Sequence, residues 1–582
     1  MDEVELDPRR HFSQTETTYA WLLQGGICPI CTRKLDRDLF DGDHVRPWSK
    51  GGRTAVDNLQ ALCRSCNIRK GNSMSPIKDL PTVKVKLSTA PTRTWAQKAL
   101  RVVASTSDPV LIEACPGAGK TRFALEAAAR MFDSGEINRL LIVVPSRRLV
   151  EQWCEASTGV GGGASIPLAP STWRHPQPMP DGICGGVITY QSLFAQPNWW
   201  AAFAAEPGYR ALVIFDEIHH AGTESGWGIA SQEVFAHWAK RVICLTGTAF
   251  RTKDQMAFVR TVAVDSIERR SVADFTYNYG DALKDEICRP IYFEHIGGTA
   301  TFQVPDGSVQ TVTTDDDLNP RGESYRLRTL LDASGGHIRE MIDVGDSRLA
   351  RIRATGDNDA AGLIICIDCD HADAIANILT ERSGVRPVVV CSRSNNPDDP
   401  IPADGIEKFV GGSSPWIIAV RMVSEGVDIR RLRVLIYATN VIAELTFRQI
   451  AGRIVRSDTN NPEDFGVMVI PSDRRLQTMA DHITGPAMVN ISGQLVQTAS
   501  RSSYESIEGL ESYGSFAPID STGVLEFVTH SDGRRAPAEL VRLAALHVER
   551  TGSPVLPFEI AVAALNDPKI EESLRRSLND PV

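Results

Sequence analysis

No stretch of this 582-residue chain approaches the ~20 consecutive apolar residues that span a bilayer, so no membrane partner is expected. The start, MDEVELDPRR, is acidic and polar. It lacks the basic and then apolar pattern of a secretory signal, and a cytoplasmic address follows. An excess of positive charge is also missing, since the formal net charge is -10. Surfaces that bind phosphate chains are usually basic, so the average speaks against nucleic acid. An average does not describe a cleft, however, and local fields can differ in sign from the whole. The segment 46–78 carries Arg46, Lys50, Arg53, Arg64, Arg69, Lys70 and Lys78 against the single acid Asp57. Cysteine is sparse, with twelve residues, and four of them are grouped. Cys28, Cys31, Cys63 and Cys66 form two CxxC pairs, which in a cytosolic protein point to a metal rather than to disulfides. The other eight are scattered, mostly in apolar strand-like runs, as buried structural thiols are.

What is present is an ordinary globular composition, 42% hydrophobic and 23% charged, in a chain long enough for three to four domains. Between Thr94 and Arg251 short apolar runs (PVLIEA, RLLIVVPS, RALVIFDEIHH, KRVICLTGT) alternate with helical patterns such as TRFALEAAARMF. That alternation predicts an α/β domain with a parallel sheet. The Gly/Pro-rich interval 159–186 is expected to be an exposed loop. After a mixed stretch with a hairpin expected around Ile291–Val312, a second alternation follows: AAGLIICID, RPVVVCS, SPWIIAVRM, LRVLIYAT and FGVMVIPS. Two sheets of similar architecture are therefore expected. Beyond Asp473 the pattern weakens, with helical stretches in 537–577.

Two sequence features carry nucleotide chemistry. Ala114-Cys115-Pro116-Gly117-Ala118-Gly119-Lys120-Thr121 has the form of a phosphate-binding loop, with Ala at its first position, set between a buried strand and an amphipathic helix. Backbone N–H groups of such a loop wrap phosphates and the helix N-terminus adds its positive end. Lys120 would reach the β/γ-phosphates and Thr121 would ligate Mg²⁺. About a hundred residues on, Asp216 and Glu217 follow an apolar strand, and strand ends are where doubly wound sheets bind ligands. One carboxylate can hold Mg²⁺ and its neighbour can polarise the attacking water. Asp216 takes the first role and Glu217 the second.

From Thr94 to Pro471 the chain resembles superfamily-2 helicases of the DExH type found in restriction-type motors, which have two RecA-like domains. The motifs occur in the family's order. Gln97, in TWAQKAL, matches the adenine-reading glutamine. VVPSRRLVEQW (143–153) and VITYQSL (187–193) match segments that hold a nucleic-acid backbone, and TGTAFR (246–251) matches the one coupling hydrolysis to strand contacts. VRMVSEGVDI (420–429) and FRQIAGRIVR (447–456) match the last two motifs, which assigns Gly426, Asp428 and Gln449 to the ATP site by resemblance. Arg453 and Arg456, three apart and expected on one helix face, are candidates for the guanidinium that neutralises charge developing on the γ-phosphate. Placed across a cleft from Lys120, they would complete the site when the domains close. Cys366–Cys369 and His219–His220 have no second ligand pair in sequence and are not read as zinc sites.

The front module runs C-P-I-C, then DGDHVRPWSKGG, then VDNLQALCRSCNIRKG. Four thiolates form a closed set of the kind that holds structural Zn²⁺. Phe40 and Val45 around Asp43-His44 suggest a strand, and VDNLQALCRSCN suggests a helix. If Asn58 and Asn67 shared it they would face opposite sides. Residues 25–73 resemble the zinc-bearing branch of the HNH endonucleases, which have a ββα-metal fold. The resemblance implies His44 as the general base, a role suited to neutral imidazole near pH 7. It implies Asp43 and Asn67 as ligands of one divalent ion, Mg²⁺ or Mn²⁺, and Asn58 as the residue fixing the loop that orients His44. Asn67 stands where many members have His.

The expected organisation is a zinc-stapled HNH domain over 1–80, a linker over 81–92, and a first RecA-like domain over 93–262. An insertion or connector over 263–350, a second RecA-like domain over 351–473, and a mostly helical C-terminal region over 474–582 follow. The expected activity is an ATP-dependent DNA translocase or helicase with its own metal-dependent nuclease, in restriction-like or anti-phage defence, acting on double- or single-stranded DNA. A repair helicase–nuclease, and a remodelling motor whose front module only grips DNA, are the alternatives. The sequence sets no oligomeric state.

Overall fold

The computed structural model describes residues 7–30, 33–37, 39–72, 84–172, 182–195, 200, 210–221, 239–247, 251–252, 258–263, 269–391, 403–420, 429–457, 464–484, 516–551, 553 and 555–579. Cys31, Gly426 and Asp428 lie outside the described residues, as does most of the segment between the HNH-like module and Lys84. The chain divides into two compact units. One is 1–114 with 119–276; the other is 277–582 with the four residues 115–118. Among the described residues no helix is long and apolar enough to cross a membrane.

In the first unit, β1 (Asp41–His44) and β2 (Leu59–Leu62) form an antiparallel pair, followed by the helix Arg64–Lys70. A ββα module results. The helix Gln14–Leu23 precedes it, begun by a capping box between Ser13 and Glu16, in which each residue satisfies the other's otherwise orphaned N–H. The core here is small: Ala20, Leu35, Leu59, Ala61 and Leu62 beside Cys28, Cys63 and Cys66.

The same unit contains a six-stranded sheet. Its strands are β3 (Val110–Ala114), β4 (Arg139–Val144), β5 (Gly185–Thr189), β6 (Ala211–Phe215), β7 (Ala239–Thr246) and, after three short strands β8 (Arg251–Thr252), β9 (Thr261–Ala263) and β10 (Arg269–Ser271), β11 (Phe275–Tyr277). The order is β11-β3-β7-β6-β4-β5. The pairs β3–β7, β7–β6, β6–β4 and β4–β5 are parallel. Every residue of β4 and β6 is buried. That is why these strands appear in sequence as unbroken apolar runs rather than alternating ones.

The second unit is built on one larger sheet. Its strands are β12 (Ile291–Gln303), β13 (Val309–Thr313), β14 (Ala361–Cys366), β15 (Val388–Val390), β16 (Trp416–Val420), β17 (Leu432–Ala438), β18 (Gly466–Pro471), β19 (Ala517–His530) and β20 (Arg535–Pro537). The order is β15-β16-β14-β17-β18-β12-β19-β20, with β13 pairing β12. It is parallel from β15 to β12 and antiparallel beyond. The β12–β13 hairpin is the one expected around 291–312. Both α/β alternations thus give parallel sheets. The C-terminal region contributes β19 and β20 and then three helices, Ala538–Thr551, Pro557–Asn566 and Pro568–Asn579.

Three local expectations need correction. The stretch VDNLQALCRSCN is not one helix. Val56–Asn58 is a 3-10 turn, Leu59–Leu62 is β2, and the helix starts only at Arg64 after an extended Cys63. Val56, Leu59 and Leu62 are three apart, which mimics a helical stripe, but the backbone of Leu59–Leu62 is committed to the ladder with β1. The interval 159–186 is an exposed loop only in part where it is described: Val160 is exposed, but residues after it turn inward. Ala164, Ile166, Leu168 and Ala169 are buried, and Gly185 lies inside β5, where a Cβ would fall 1.7 Å from the Leu140 carbonyl oxygen. That glycine serves close approach rather than loop freedom. Finally, Arg453 and Arg456 are not on a helix. The helix Glu444–Ala451 ends at Gly452. The chain then pairs with the segment just before β12, through Arg289 N–H to Val455 O (2.8 Å) and an isolated bridge between Cys288 and Arg456.

Candidate active sites

The first site forms where strands of the first sheet end. β3 runs into the loop 115–119, in which Gly117 (φ +81°) and Gly119 (φ +92°) take the left-handed conformation open to glycine. Lys120, the first residue of the helix Lys120–Asp133, directs Nζ back to the Ala114 carbonyl (3.2 Å) and to Glu217 Oε1 (3.0 Å). Thr121 follows it, part-exposed. Glu217 has a positive φ of 48°, a strained position for a residue with a Cβ. Its Oε2 accepts the Gly247 N–H (3.1 Å) and lies 3.6 Å from His219 Nδ1. His219 Nδ1 is in turn 3.4 Å from Thr246 Oγ1 at the end of β7.

Asp216 is buried beside this group. Trp153 Nε1 donates to its Oδ2 (2.9 Å), and the Tyr190 hydroxyl donates to its backbone carbonyl (2.9 Å). Burial, with the neighbouring Glu217 charge, pushes the Asp216 carboxyl up to about 6. Burial acts on Glu217 in the same sense, but Lys120 and His219 outweigh it and hold that carboxyl low, at about 2. Two adjacent acids are thus driven apart by their surroundings. The set places one ammonium, two carboxylates and the N-terminus of a helix together, a donor and acceptor set that fits a nucleotide phosphate with its magnesium ion. Gln97 stands on the exposed side of the helix Thr94–Ser105, donating to the Thr92 carbonyl (2.9 Å).

The second unit holds the last arginines. Gln449 lies on the helix Glu444–Ala451 and Arg453 just beyond it. Burial pulls the Arg456 guanidinium down to about 10, against the opposing effect of Cys288, so it remains charged at neutral pH.

The ββα module forms the remaining site. Cys28, Cys63 and Cys66 are buried, with sulfur atoms within 4.8 Å of one another. Three converging thiols suit a zinc ion, and Cys31 falls outside the described residues. Along β1, side chains alternate between faces. Asp43 meets Lys70 Nζ (2.8 Å) and Gln60 Nε2 (3.1 Å), and Asn67 Nδ2 donates to Asp41 Oδ2 (3.1 Å). Asp41, Asp43 and Asn67 offer oxygen donors of the kind divalent magnesium or manganese takes. Lys70, with a side chain only 1% exposed, also donates to the His44 carbonyl (2.7 Å). His44 stands against Phe12, ring centroids 4.4 Å apart, and its Nε2 is 3.0 Å from Thr54 Oγ1. Burial lowers the imidazole below its ordinary value, with the Asp43 charge acting the other way. Asn58 clamps the loop between them: Oδ1 accepts Arg46 N–H (2.7 Å), while Nδ2 donates to the Arg46 (3.0 Å) and Arg53 (2.8 Å) carbonyls.

Sequence reasoning singled out Lys120, Asp216, Glu217, Asp43, His44, Asn58 and Asn67. It passed over Asp41 and Thr54, counted Lys70 only among the basic residues of 46–78, and set His219 aside as a zinc ligand without linking it to Glu217. Trp153 and Tyr190 fell inside segments expected to hold a nucleic-acid backbone, and neither was tied to Asp216.

Residues 88–251 match the family described as Type III restriction enzyme, res subunit, and residues 28–73 match the HNH endonuclease family. An uncharacterized protein of Mycobacterium leprae is 34% identical over 454 residues, covering 76% of this chain and 70% of its own length. Another, from Mycobacterium tuberculosis, is 36% identical over 392 residues, covering 67% of this chain and 63% of its own. The ATP-dependent Type ISP restriction-modification enzyme LlaBIII bound to DNA aligns at 15% identity and a TM-score of 0.40, over 66% of this chain and 28% of that one. The fold and its two sites define a restriction-enzyme-like helicase joined to an HNH endonuclease domain. The chain belongs to the superfamily-2 helicases of restriction type and carries the HNH domain near its own N-terminal end, and the mycobacterial proteins are its relatives.

The Trp153–Asp216 contact makes a specific prediction. Trp153→Phe keeps the ring and removes an N–H donor to a buried carboxylate, which costs about 1–3 kcal/mol. The melting temperature followed by circular dichroism should fall; an unchanged melting temperature would mean that the bond contributes nothing.

Proposed function

We propose that this protein is an ATP-driven DNA translocase or helicase whose HNH domain nicks DNA, serving restriction-like or anti-phage defence. The observation that carries the motor reading is the meeting of Lys120 and Glu217 at 3.0 Å, from the ends of two parallel strands, with Asp216 held beside them. In this reading Pro116–Thr121 wrap the phosphates, with Gly117, Ala118 and Gly119 offering backbone N–H groups and Lys120 the charge. Thr121 and Asp216 hold Mg²⁺. Glu217 takes up the proton of the attacking water, a task its low carboxyl suits only once Lys120 turns from it toward phosphate. Gln97, Gly426, Asp428 and Gln449 complete nucleotide binding, and Arg453 and Arg456 supply positive charge to the departing phosphate.

The nuclease reading rests on the ββα geometry. His44 takes a proton from water, Asp43 and Asn67 hold a divalent ion, and Asn58 fixes the loop. That ion, Mg²⁺ or Mn²⁺, would stabilise the scissile phosphate and the leaving oxygen. Zinc, held by Cys28, Cys31, Cys63 and Cys66, serves the fold alone.

Two experiments test these assignments. Lys120→Ala should abolish DNA-stimulated ATP hydrolysis and leave ATP-independent nicking, while His44→Ala should do the reverse. Unchanged cleavage by a folded His44→Ala protein would remove the catalytic assignment. Purified protein should also contain one zinc per chain by elemental analysis, and Cys66→Ser should lose it together with the folded front module; full zinc content in that variant would place the ion elsewhere.

A further inference from the structure

The HNH family match begins at residue 28, yet the residues that grip His44 include several that precede it. Phe12 packs against the imidazole. Asp7 and Arg9 close around Thr54: Asp7 Oδ2 accepts the Thr54 N–H (2.9 Å), and the Arg9 guanidinium donates to the Thr54 carbonyl. Trp48 Nε1 donates to the Asp7 carbonyl (2.8 Å), with the Arg10 guanidinium 5.1 Å above the indole ring. Arg9 also pairs with Glu16 (2.7 Å), which ties the segment to the capping box of the helix Gln14–Leu23. Thr54 itself is 4% exposed.

The direction of the bonds follows from proton counting. Thr54 Oγ1 contacts two groups, the Arg9 carbonyl oxygen and His44 Nε2. A hydroxyl has one proton and a carbonyl can only accept. The Thr54 proton is therefore committed to Arg9, and the same oxygen must accept from Nε2–H. The other ring nitrogen, Nδ1, has no hydrogen-bond partner among the described residues. A histidine whose tautomer is set by the bond its far nitrogen makes is a recurrent device.

We propose that residues Asp7–Phe12 form a strap that, through the Thr54 hydroxyl, locks His44 in the Nε2–H tautomer and leaves Nδ1 as the nitrogen that accepts the proton from water. Thr54 is then a positioning residue and the strap a working part of the nuclease. The role of Nδ1 rests on the nuclease reading above; the tautomer does not.

The test uses the full chain on supercoiled plasmid with Mg²⁺ or Mn²⁺, comparing wild type with Thr54→Val, Thr54→Ser and His44→Ala. Thr54→Val keeps the shape and the backbone bond to Asp7 but cannot accept from Nε2–H. It should lower kcat for nicking about 10- to 100-fold, the loss typical when the group orienting a metal-ligating histidine is removed. KM for DNA, zinc content and DNA-stimulated ATPase should stay unchanged. Thr54→Ser, which keeps the hydroxyl, should nick at near wild-type rate. Full nicking by Thr54→Val, or equal loss in the serine variant, overturns the proposal. If Thr54→Val does not fold, ¹⁵N-histidine NMR of the wild-type chain decides, the His44 signals being those missing in His44→Ala. A proton on Nε2 supports the lock and a proton on Nδ1 overturns it. Should wild type fail to nick at all, the nuclease reading fails while the same NMR spectrum still judges the tautomer.

Discussion

Parallel strands covered on both faces leave polar chemistry only one way out, through their ends. β4 and β6 are buried along their whole length, so no side chain within them can meet a charged ligand. Lys120 follows β3, Asp216 and Glu217 follow β6, and Thr246 closes β7. Three neighbouring strands thereby deliver an ammonium, two carboxylates and a hydroxyl to one edge of one sheet. The cost falls on Asp216, whose carboxyl is drawn into the protein. A buried carboxylate is tolerable only when hydrogen-bonded, and the Trp153 indole provides that bond. The strained backbone at Glu217 fits the same picture, because the turn must reverse within two residues to bring its carboxylate under Lys120.

The front module faces the opposite constraint. Two short strands and a short helix enclose little apolar volume, and domains of this size usually need a staple. Cys28, Cys63 and Cys66 lie inside the small core itself, so a metal bound there would hold the hydrophobic residues as well as the chain. Rigidity at His44 comes from elsewhere: from Asn58 across the loop, from Lys70 at the His44 carbonyl, and from the segment 7–12 around Thr54. Each anchors backbone or ring rather than adding apolar area.

How much of this could be read from sequence depended on distance along the chain. The phosphate loop was legible because its glycines, lysine and following helix are contiguous, and the acid pair because it terminates an apolar strand. Asp43 and His44 were visible for the same reason. Trp153 was not, since its partner lies 63 residues away and a buried tryptophan looks like any other. Thr54 meets Arg9 across 45 residues, and no local pattern marks either. The spacing of Val56, Leu59 and Leu62 imitated a helix until pairing with β1 decided otherwise. Arg453 and Arg456 looked helical because they are three apart, but the helix is capped at Gly452, and the residues beyond it pair with Cys288–Arg289, over 160 residues earlier in the chain.

The proposed function separates two engines, one to hydrolyse ATP and one to cut DNA, each with its own metal chemistry. The most direct measurement incubates the wild-type chain with a divalent ion and covalently closed plasmid, linear duplex, single-stranded and forked DNA, with and without ATP, scoring strand breaks and phosphate release together. The account predicts breaks in closed plasmid without ATP, and phosphate release that rises when DNA is added. Cleavage that strictly requires ATP hydrolysis, or no cleavage of any DNA form, would contradict it.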